Sequence, residues 1–85
     1  MTEKIIQSYV FRDGKSWFVS TVERDYYVYG DRVRGPETMA WEWDPDTKQR
    51  GDRLVYQGED GLDGHLRVCR SLRENGVANE KDHQP

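Results

Sequence analysis

The chain lacks several features that would assign it to a familiar class of protein. Its one cysteine, Cys69, excludes an intramolecular disulfide framework and a zinc site built on several cysteines. No apolar run approaches the roughly 20 residues that a transmembrane helix needs. The N-terminal segment MTEKIIQSYVF also lacks the apolar stretch of a signal peptide. These absences predict a soluble protein of the cytoplasm, without a cofactor or a metal.

The chain also has little excess charge of either sign. It carries 13 Lys and Arg residues against 16 Asp and Glu residues, a formal net charge of −3. A dedicated nucleic-acid binder is usually clearly basic, and a charge of this size is ordinary for a small soluble domain. The balance therefore makes nucleic acid an unlikely partner and gives no indication of a membrane.

Aromatic side chains are what the sequence does have. Only 34% of the 85 residues are hydrophobic, but they include three tryptophans, five tyrosines and two phenylalanines. Each such side chain can bury roughly 150–250 Å², so a few of them can form the core of a small domain. We expect one folded domain over residues 1–77 and a disordered tail over residues 78–85, where the sequence ANEKDHQP is strongly polar.

The first part of the domain is typical of a β-hairpin. The segments IIQSYVF (5–11) and SWFVSTVE (16–23) are rich in β-branched and aromatic residues, and Asp13-Gly14 between them is a strong two-residue turn signal. Trp17 and Phe18 fall on opposite sides of the second strand. DYYVYG (25–30) is compatible with a short strand or with a loop. The Gly-Pro of DRVRGP (31–36) predicts a turn or loop there.

A second hairpin follows, built around ETMAWEWD (37–44) and RLVYQ (53–57). Alternation puts Met39, Trp41 and Trp43 on one side of its first strand, and Leu54 and Tyr56 together on one side of its second. Asp44-Pro45 starts the turn, and the longer connection predicts a bulge near Gly51.

The hydrophobic period then changes from two to about 3.6. The side chains that it places on the inner face of a helix are Leu62, Leu66, Cys69 and Leu72. Asp60 or Asp63 can cap its start, and Asn75-Gly76 can end it. The fold predicted is therefore α+β: an antiparallel meander of four to five strands, with one C-terminal helix packed on one face.

The number of large aromatics gives the main indication of function. A helix about 10–12 Å across covers only about half of a sheet roughly 19–24 Å wide. Some rings are therefore expected at the surface, where apolar patches often mark interaction sites. We interpret the chain as a non-enzymatic binding module with a protein partner. The predicted protein-binding residues are Trp41, Trp43, Tyr56, Tyr27 and Tyr29.

Two alternatives remain open at the level of sequence. One is a nucleic-acid-binding domain that combines aromatic stacking with an arginine cluster, composed of Arg32, Arg34, Arg67 and Arg70. The other is a homodimer with a structural role, formed through the same aromatic face. His65 and Cys69 share a helix face and resemble a ligand or nucleophile pair, but no further ligand or base accompanies them, so no catalytic or metal residue is predicted.

Two segments resemble short proteins that are carried by phages, plasmids and genomic islands. They are WFVSTVERD (17–25) and ETMAWEWDPDTKQRG (37–51), with WEWD and the later Arg-Gly as the most distinctive part. The resemblance covers about the middle half of the chain. It implies a mobile-element setting, in which small proteins often bind and modulate a host protein, and it assigns no role to any single residue.

Overall fold

The computed structural model describes residues 2–78 and shows one antiparallel sheet followed by one helix. Its elements are β1 (Thr2–Arg12), β2 (Lys15–Val28), β3 (Asp31–Asp44), β4 (Gln49–Gly58) and α1 (Leu62–Asn75). The strands lie in the order β1-β2-β3-β4, so each pairs with the next along the chain. The predicted α+β meander with a C-terminal helix is confirmed, with four strands.

The predicted tail falls largely on residues 79–85, which lie outside the described residues. Its first residue, Ala78, is buried and belongs to the hydrophobic core with Val68 and Leu72. The ordered part of the chain therefore extends at least one residue beyond the boundary that polar composition suggested.

The turns follow from residues that tolerate positive φ. Asp13 and Gly14 have φ values of 46° and 82°, and Arg12 pairs directly with Lys15, as the sequence predicted. Tyr29 and Gly30 have φ values of 52° and 85° and form a second two-residue turn. Positive φ at both central residues is the signature of the type I′ turn, whose twist matches that of antiparallel strands.

The loop expected at residues 31–36 is instead part of β3, because the chain reverses earlier, at Tyr29-Gly30. Residues 25–28 extend β2, and Asp25 pairs with Arg34 in one long hairpin. Pro36 is tolerated within β3 because β4 ends at Gly58, opposite Thr38, so β3 is an edge strand at that point. Proline therefore marks the end of the four-stranded region.

Bulges in β4 reverse one prediction about side-chain direction. Leu54 pairs with Trp41 and Tyr56 pairs with Ala40, which leaves Val55 as an additional residue between them. Leu54 and Tyr56 consequently point to opposite faces of the sheet, not to the same face as strict alternation suggested. A second irregularity lies between Trp41 and Trp43, opposite the part of β4 that contains Gly51, where a bulge was expected.

The helix ends as predicted but buries a different face. Gly76 has φ of 75°, and its N–H donates to the Leu72 carbonyl at 3.0 Å. The buried side chains of α1 are those of His65, Val68, Cys69 and Leu72. Leu62 and Leu66 are each 51% exposed. The helix turns the stripe formed by His65, Val68, Cys69 and Leu72 toward the sheet, and the two leucines lie to one side of that stripe. The N-cap residue of α1 is Gly61, with no side-chain cap, and the Asp60 carboxylate, a predicted cap, instead accepts from Tyr56 and Arg67.

The core lies between α1 and the first strands of the sheet. The helix packs chiefly on β1 and β2. From the sheet it contacts the side chains that alternate toward it, namely Val10, Trp17, Val19 and Ala40. The aromatic core expected from composition is thus reduced to one tryptophan, and most other rings lie elsewhere.

A chain of hydrogen bonds runs under the helix and includes His65, which is 0% exposed. His65 Nε2 lies 2.8 Å from Ser8 Oγ, and His65 Nδ1 lies 2.8 Å from Thr21 Oγ1. Thr21 Oγ1 in turn lies 2.5 Å from Thr38 Oγ1, which donates to the Asp60 carbonyl at 3.0 Å. The chain joins β1, β2, β3, the β4–α1 connection and the helix.

The Asp60 carbonyl fixes the direction of the hydrogen bonds from Thr38 back to His65 Nδ1, because a carbonyl can only accept. Thr38 must donate to it, so Thr38 accepts from Thr21, and Thr21 accepts from His65. His65 therefore carries a proton on Nδ1. Because burial also lowers the pKa of His65, the ring is neutral, and its Nε2 accepts from the Ser8 hydroxyl.

The buried imidazole predicts a pH-dependent stability. Burial lowers the pKa of His65, so the unfolded chain protonates this ring more readily than the folded chain does. The free energy of unfolding should be greatest above about pH 6.5, the ordinary pKa of histidine, and should decrease as the pH falls through the lower folded-state pKa. Urea titrations at about pH 7.5 and about pH 5.5 measure the change. A His65→Gln variant should show a smaller change, and an equal change would assign it to other groups.

Candidate protein-binding surface

The sheet face opposite α1, called the open face below, carries most of the remaining aromatic side chains. Residues directly opposite each other in antiparallel strands share a face, so the strand register arranges these side chains in rows. The three rows are Phe11, Ser16, Trp43 and Arg50; Tyr9, Phe18, Trp41 and Leu54; and Gln7, Ser20, Met39 and Gln57. The middle row is apolar across all four strands.

The rings of the open face form one contiguous cluster. The Tyr9 ring lies 5.3 Å from that of Phe18 and 4.8 Å from that of Trp43, measured between centroids. Phe18 lies 5.9 Å from both Trp41 and Trp43. Such contacts contribute beyond simple burial and hold the rings in fixed positions. The surface is therefore preorganised.

Two small residues make room for this cluster. Ser16 and Ser20 are buried although they face away from the helix, at 8% and 9% exposure. The Ser16 hydroxyl donates to the Trp43 carbonyl at 2.8 Å, which ties β2 to β3 beneath the rings. A larger side chain at Ser16 would displace Trp43.

No described helix or strand covers the cluster. Tyr9 is 50% and Phe11 58% exposed, and Phe18, Trp41 and Trp43 are half-buried. The helix lies on the opposite side of the sheet, so an apolar face of this size is open to solvent. Contiguous exposed apolar patches of this kind typically mark interaction sites.

Three polar or charged side chains of the open face, those of Arg24, Glu37 and Arg50, are engaged within the chain. The Arg24 guanidinium donates to the Glu37 carboxylate at 2.8 Å, and the Gln57 amide donates to the other oxygen of Glu37 at 3.0 Å. Arg50 lies over the Trp41 ring, 4.2 Å from its centroid. These contacts form a polar border beside the apolar rows, an arrangement typical of protein interfaces.

The structure brings together only two of the five predicted protein-binding residues. Trp41 and Trp43 lie in the cluster. Tyr56 lies on the helix side of the sheet, packs against the core and donates its hydroxyl hydrogen bond to the Asp60 carboxylate. Burial, followed by this hydrogen bond, raises the pKa of Tyr56. Tyr56 faces the helix because the bulge at Val55 inverts the alternation of side chains along β4.

Tyr27 and Tyr29 lie at the far tip of the β2–β3 hairpin. Both are exposed, Tyr27 at 73%, and Tyr29 is itself a turn residue. Tyr27 is nine positions along β2 from Phe18, which is roughly 30 Å in an extended strand. They do not belong to the cluster.

The predicted arginine cluster is largely neutralised by carboxylates. Arg32 and Arg34 both donate to Asp25, and Arg34 also donates to Glu3 at 3.0 Å. The hydrogen bond from Arg32 is the main cause that lowers the pKa of Asp25 to about 2. Arg67 donates to Asp60 at 3.2 Å, and Arg70 is exposed on α1. None of the four lies on the open face, so the predicted pairing of this cluster with the rings is not formed, and the arginine that lies over a ring is Arg50.

His65 and Cys69 are both buried under the helix. Burial lowers the pKa of the imidazole and raises that of the thiol, so each group is held in its neutral form. A reactive thiol requires the opposite shift. Within residues 2–78, no group of three or more His, Cys, Asp or Glu side chains is placed to hold a metal ion.

A cleft of about 380 Å³ lies between the ends of the two hairpins. Its lining includes Trp43 and the acidic residues Glu42, Asp44 and Asp46. The Asp44 carboxylate accepts from the backbone N–H of Asp46 at 2.9 Å, as a turn residue does. The Asp44 carboxylate therefore serves the turn, and the cleft borders Trp43 of the open face.

The sequence interpretation missed Tyr9, Phe11 and Phe18 as members of the surface. A signal for them was present, because a two-residue turn at Asp13-Gly14 fixes the register of the hairpin. Counting back from the turn places Tyr9 opposite Phe18, as observed. What no local pattern gives is the pairing of Phe18 with Trp41, which depends on the position of the β2–β3 turn.

Comparisons with protein families, with curated proteins and with solved structures gave no significant match. Among the described residues, no helix has the length and apolar character required to cross a membrane.

Proposed function

We propose that the protein is a small non-enzymatic binding module whose open face contacts a protein partner. The observation that carries this proposal is the ring cluster of Tyr9, Phe18, Trp41 and Trp43, which is packed internally and which no described strand or helix covers: Tyr9 is 50% exposed and the other three rings are half-buried. Large rigid aromatic side chains lose little conformational entropy on binding and dominate the energetic centres of interfaces.

The composition of the face supports a protein partner over a nucleic acid. Interfaces are enriched in Trp, Tyr, Phe, Met and Arg and depleted in Lys and Asp, and the three rows contain no Lys or Asp. A stacking platform for bases needs a positive groove beside open ring faces, whereas Arg24 is bound to Glu37 and Arg50 covers the Trp41 ring on which a base would stack. The resemblance to mobile-element proteins favours a host protein as the partner, whose activity the module would modulate.

Capture from a native lysate, with and without nuclease, tests the proposal. Tagged wild-type protein should retain a stoichiometric protein that survives nuclease. A Tyr9→Ser/Phe11→Ser variant should retain at least about tenfold less, because two exposed rings are removed from the contact. Tyr27→Ser is the matched control, since it removes an equally exposed ring at the far hairpin tip, and it should behave as wild type.

Two results would contradict the proposal. One is capture that disappears after nuclease, which would make nucleic acid the ligand. The other is equal capture by the double variant and the wild type. Thermal unfolding of each variant, followed by circular dichroism, shows whether a loss of capture is caused by a loss of folding.

A further inference from the structure

The outer edge of β1 carries backbone hydrogen-bonding groups that no other described part of the chain uses. β1 is the first strand of the sheet, and β2 is its only described neighbour there. The two-residue turn makes Arg12 and Lys15 a hydrogen-bonded pair, and such pairs recur at every second residue of the hairpin. The N–H and C=O groups of Gln7, Tyr9 and Phe11 therefore point away from β2, toward solvent.

We propose that this edge receives an extended segment of the protein partner, which joins the sheet as a fifth strand beside β1. An extended backbone is the ligand that satisfies a row of alternating N–H and C=O groups, and strand addition is an established mode of peptide recognition. Attachment at β1 rests on the proposed function, since it gives the partner of the open face a point of entry and a conformation. The side chains of Tyr9 and Phe11 lie on the open face, so the added strand extends that face.

β1 lacks the devices that usually protect an exposed strand edge, whereas the other edges have them. Residues 6–11, which follow the bulge of β1, contain no charged residue and no proline. β4 forms the opposite edge, has two irregularities of register and carries Arg50, Asp52 and Arg53. The part of β3 that extends past β4 contains Pro36, which has no N–H to offer. Strand addition is therefore favoured at β1.

Exposed apolar side chains flank this edge on both sides of the sheet. They are Tyr9 and Phe11 on the open face, and Leu62 and Leu66 on the helix side. Gly64 lies against Asp60 at the β4–α1 connection. With 3.6 residues per turn, Leu62 and Leu66 fall on the other side of the buried stripe, toward β1. A strand beside β1 alternates its side chains between the two faces, so it can contact apolar groups on both.

The cations around this edge indicate the charge of the partner segment. Lys4 and Arg12 lie at the two ends of the uncharged part of β1. Arg73 lies close to Arg12, whose guanidinium donates to the Arg73 carbonyl at 3.1 Å. Neither Lys4 nor Arg73 has an ion-pair partner within the described residues. An apolar segment with carboxylates toward its ends would pair with these cations.

The two acids of β1 and its turn are already engaged. Glu3 is bound by Arg34 at 3.0 Å, and the Asp13 carboxylate lies 4.0 Å from the Arg12 guanidinium. A second copy of β1 at this edge would add a second set of the same cations, which repel each other. The charges therefore favour an acidic segment of a different protein over a copy of this chain.

Selection from a displayed library of random linear peptides of about nine residues, the length of an ordinary strand, is the first measurement. Peptides retained by the wild type should have β-branched or aromatic residues in the middle and Asp or Glu near the ends. The most enriched peptide is then synthesised with a fluorophore, and its affinity for each variant is measured by fluorescence anisotropy.

Gln7→Pro tests the backbone contact. Proline removes an outward N–H and places its ring where the added strand lies, and it breaks no hydrogen bond between β1 and β2. We expect it to weaken peptide binding at least about tenfold. Gln7→Ala is the matched control, because it removes the same side chain but keeps the N–H, and it should bind as the wild type does.

Leu66→Glu tests the helix side of the edge, and it keeps the test decisive if Gln7→Pro fails to fold by circular dichroism. A carboxylate there replaces an apolar contact and repels an acidic segment, so binding should again weaken at least about tenfold. Leu54→Glu is its control, since it makes the same change at an exposed leucine of the opposite edge strand and should leave peptide binding unchanged.

The outcomes distinguish strand addition from the proposed function. No enrichment, enrichment of basic peptides, or a peptide that binds Gln7→Pro and Leu66→Glu as tightly as the wild type overturns strand addition at β1. Lysate capture that depends on Tyr9 and Phe11 would then still support a protein-binding face. Peptide binding at the edge, together with lysate capture that survives Tyr9→Ser/Phe11→Ser, supports the edge and contradicts the proposed use of the rings. A wild type that dimerises in sedimentation velocity, and that Gln7→Pro makes monomeric, assigns the edge to a second copy and overturns the choice of partner.

Discussion

Replacing His65 with alanine is expected to lower the free energy of unfolding by about 3–5 kcal/mol, most of the stability of a domain of this size. The imidazole is 0% exposed and bridges the helix to Ser8 and Thr21. Alanine would leave a cavity and would remove the imidazole acceptor of the part-buried Ser8 hydroxyl. It would also remove the N–H group that donates to the Thr21 hydroxyl, so the hydrogen-bond chain that ends at the Asp60 carbonyl would lose its first donor.

Urea denaturation followed by circular dichroism measures this loss. Leu66→Ala is the matched control: it is adjacent on the same helix, but its side chain is 51% exposed, and it should cost less than about 1 kcal/mol. A His65→Ala variant that is as stable as Leu66→Ala would show that the buried hydrogen bonds of His65 contribute little to the free energy of unfolding. His65→Gln should fall between the two, because the amide can restore one of the two hydrogen bonds.

The fold was predictable from local signals wherever one residue pair decides the geometry. Asp13-Gly14 fixes the first hairpin, and Gly76 ends the helix in the left-handed conformation. The β2–β3 turn was missed because Tyr29-Gly30 is not a typical turn dipeptide, whereas Gly35-Pro36 is one. At Pro36 the tertiary context decides, because β4 has ended and the proline lies on an edge.

The helix face illustrates a different limit of sequence reasoning. Counting apolar residues favoured Leu62 and Leu66, whereas the buried stripe is centred on His65. A buried histidine needs partners for both ring nitrogens, and here hydroxyls from three separate strands form its chain of hydrogen bonds. Ser8, Thr21 and Thr38 are far apart in sequence, so no local pattern shows their convergence.

The sequence predicted that an exposed aromatic surface exists, but it did not predict correctly which residues form that surface. The surplus of rings over what one helix can cover correctly indicated an exposed aromatic patch. Alternation also placed Trp41 and Trp43 together. Tyr56 was assigned to the wrong side because one bulged residue inverts the alternation beyond it.

Gly64→Ala is expected to destabilise the protein by about 2–3 kcal/mol, although glycine-to-alanine changes in helices usually stabilise by about 1 kcal/mol. A Cβ at residue 64 would lie 2.1 Å from Asp60 Cβ and 2.6 Å from Asp60 Cγ. Because Asp60 Cβ is attached directly to the backbone, the β4–α1 connection itself would have to move.

The displacement would disturb more than one contact, because Asp60 joins three parts of the structure. Its carbonyl accepts from Thr38 and its carboxylate accepts from Tyr56 and from Arg67. The close approach of residues 60 and 64 therefore holds the helix start against β3 and β4. Glycine at residue 64 is required for this packing, although its φ is not in the left-handed region.

A double-mutant cycle with Asp60→Gly isolates the steric cause. In the Asp60→Gly background the clashing Cβ and carboxylate are absent, so Gly64→Ala should become neutral or stabilising. The change in sign is the expected result, measured as free energies of unfolding in urea for the four chains of the cycle. Equal destabilisation in both backgrounds would mean that Gly64 contacts something other than Asp60. Gly61→Ala is a further control, because a Cβ there meets only Pro36 at an ordinary 3.9 Å.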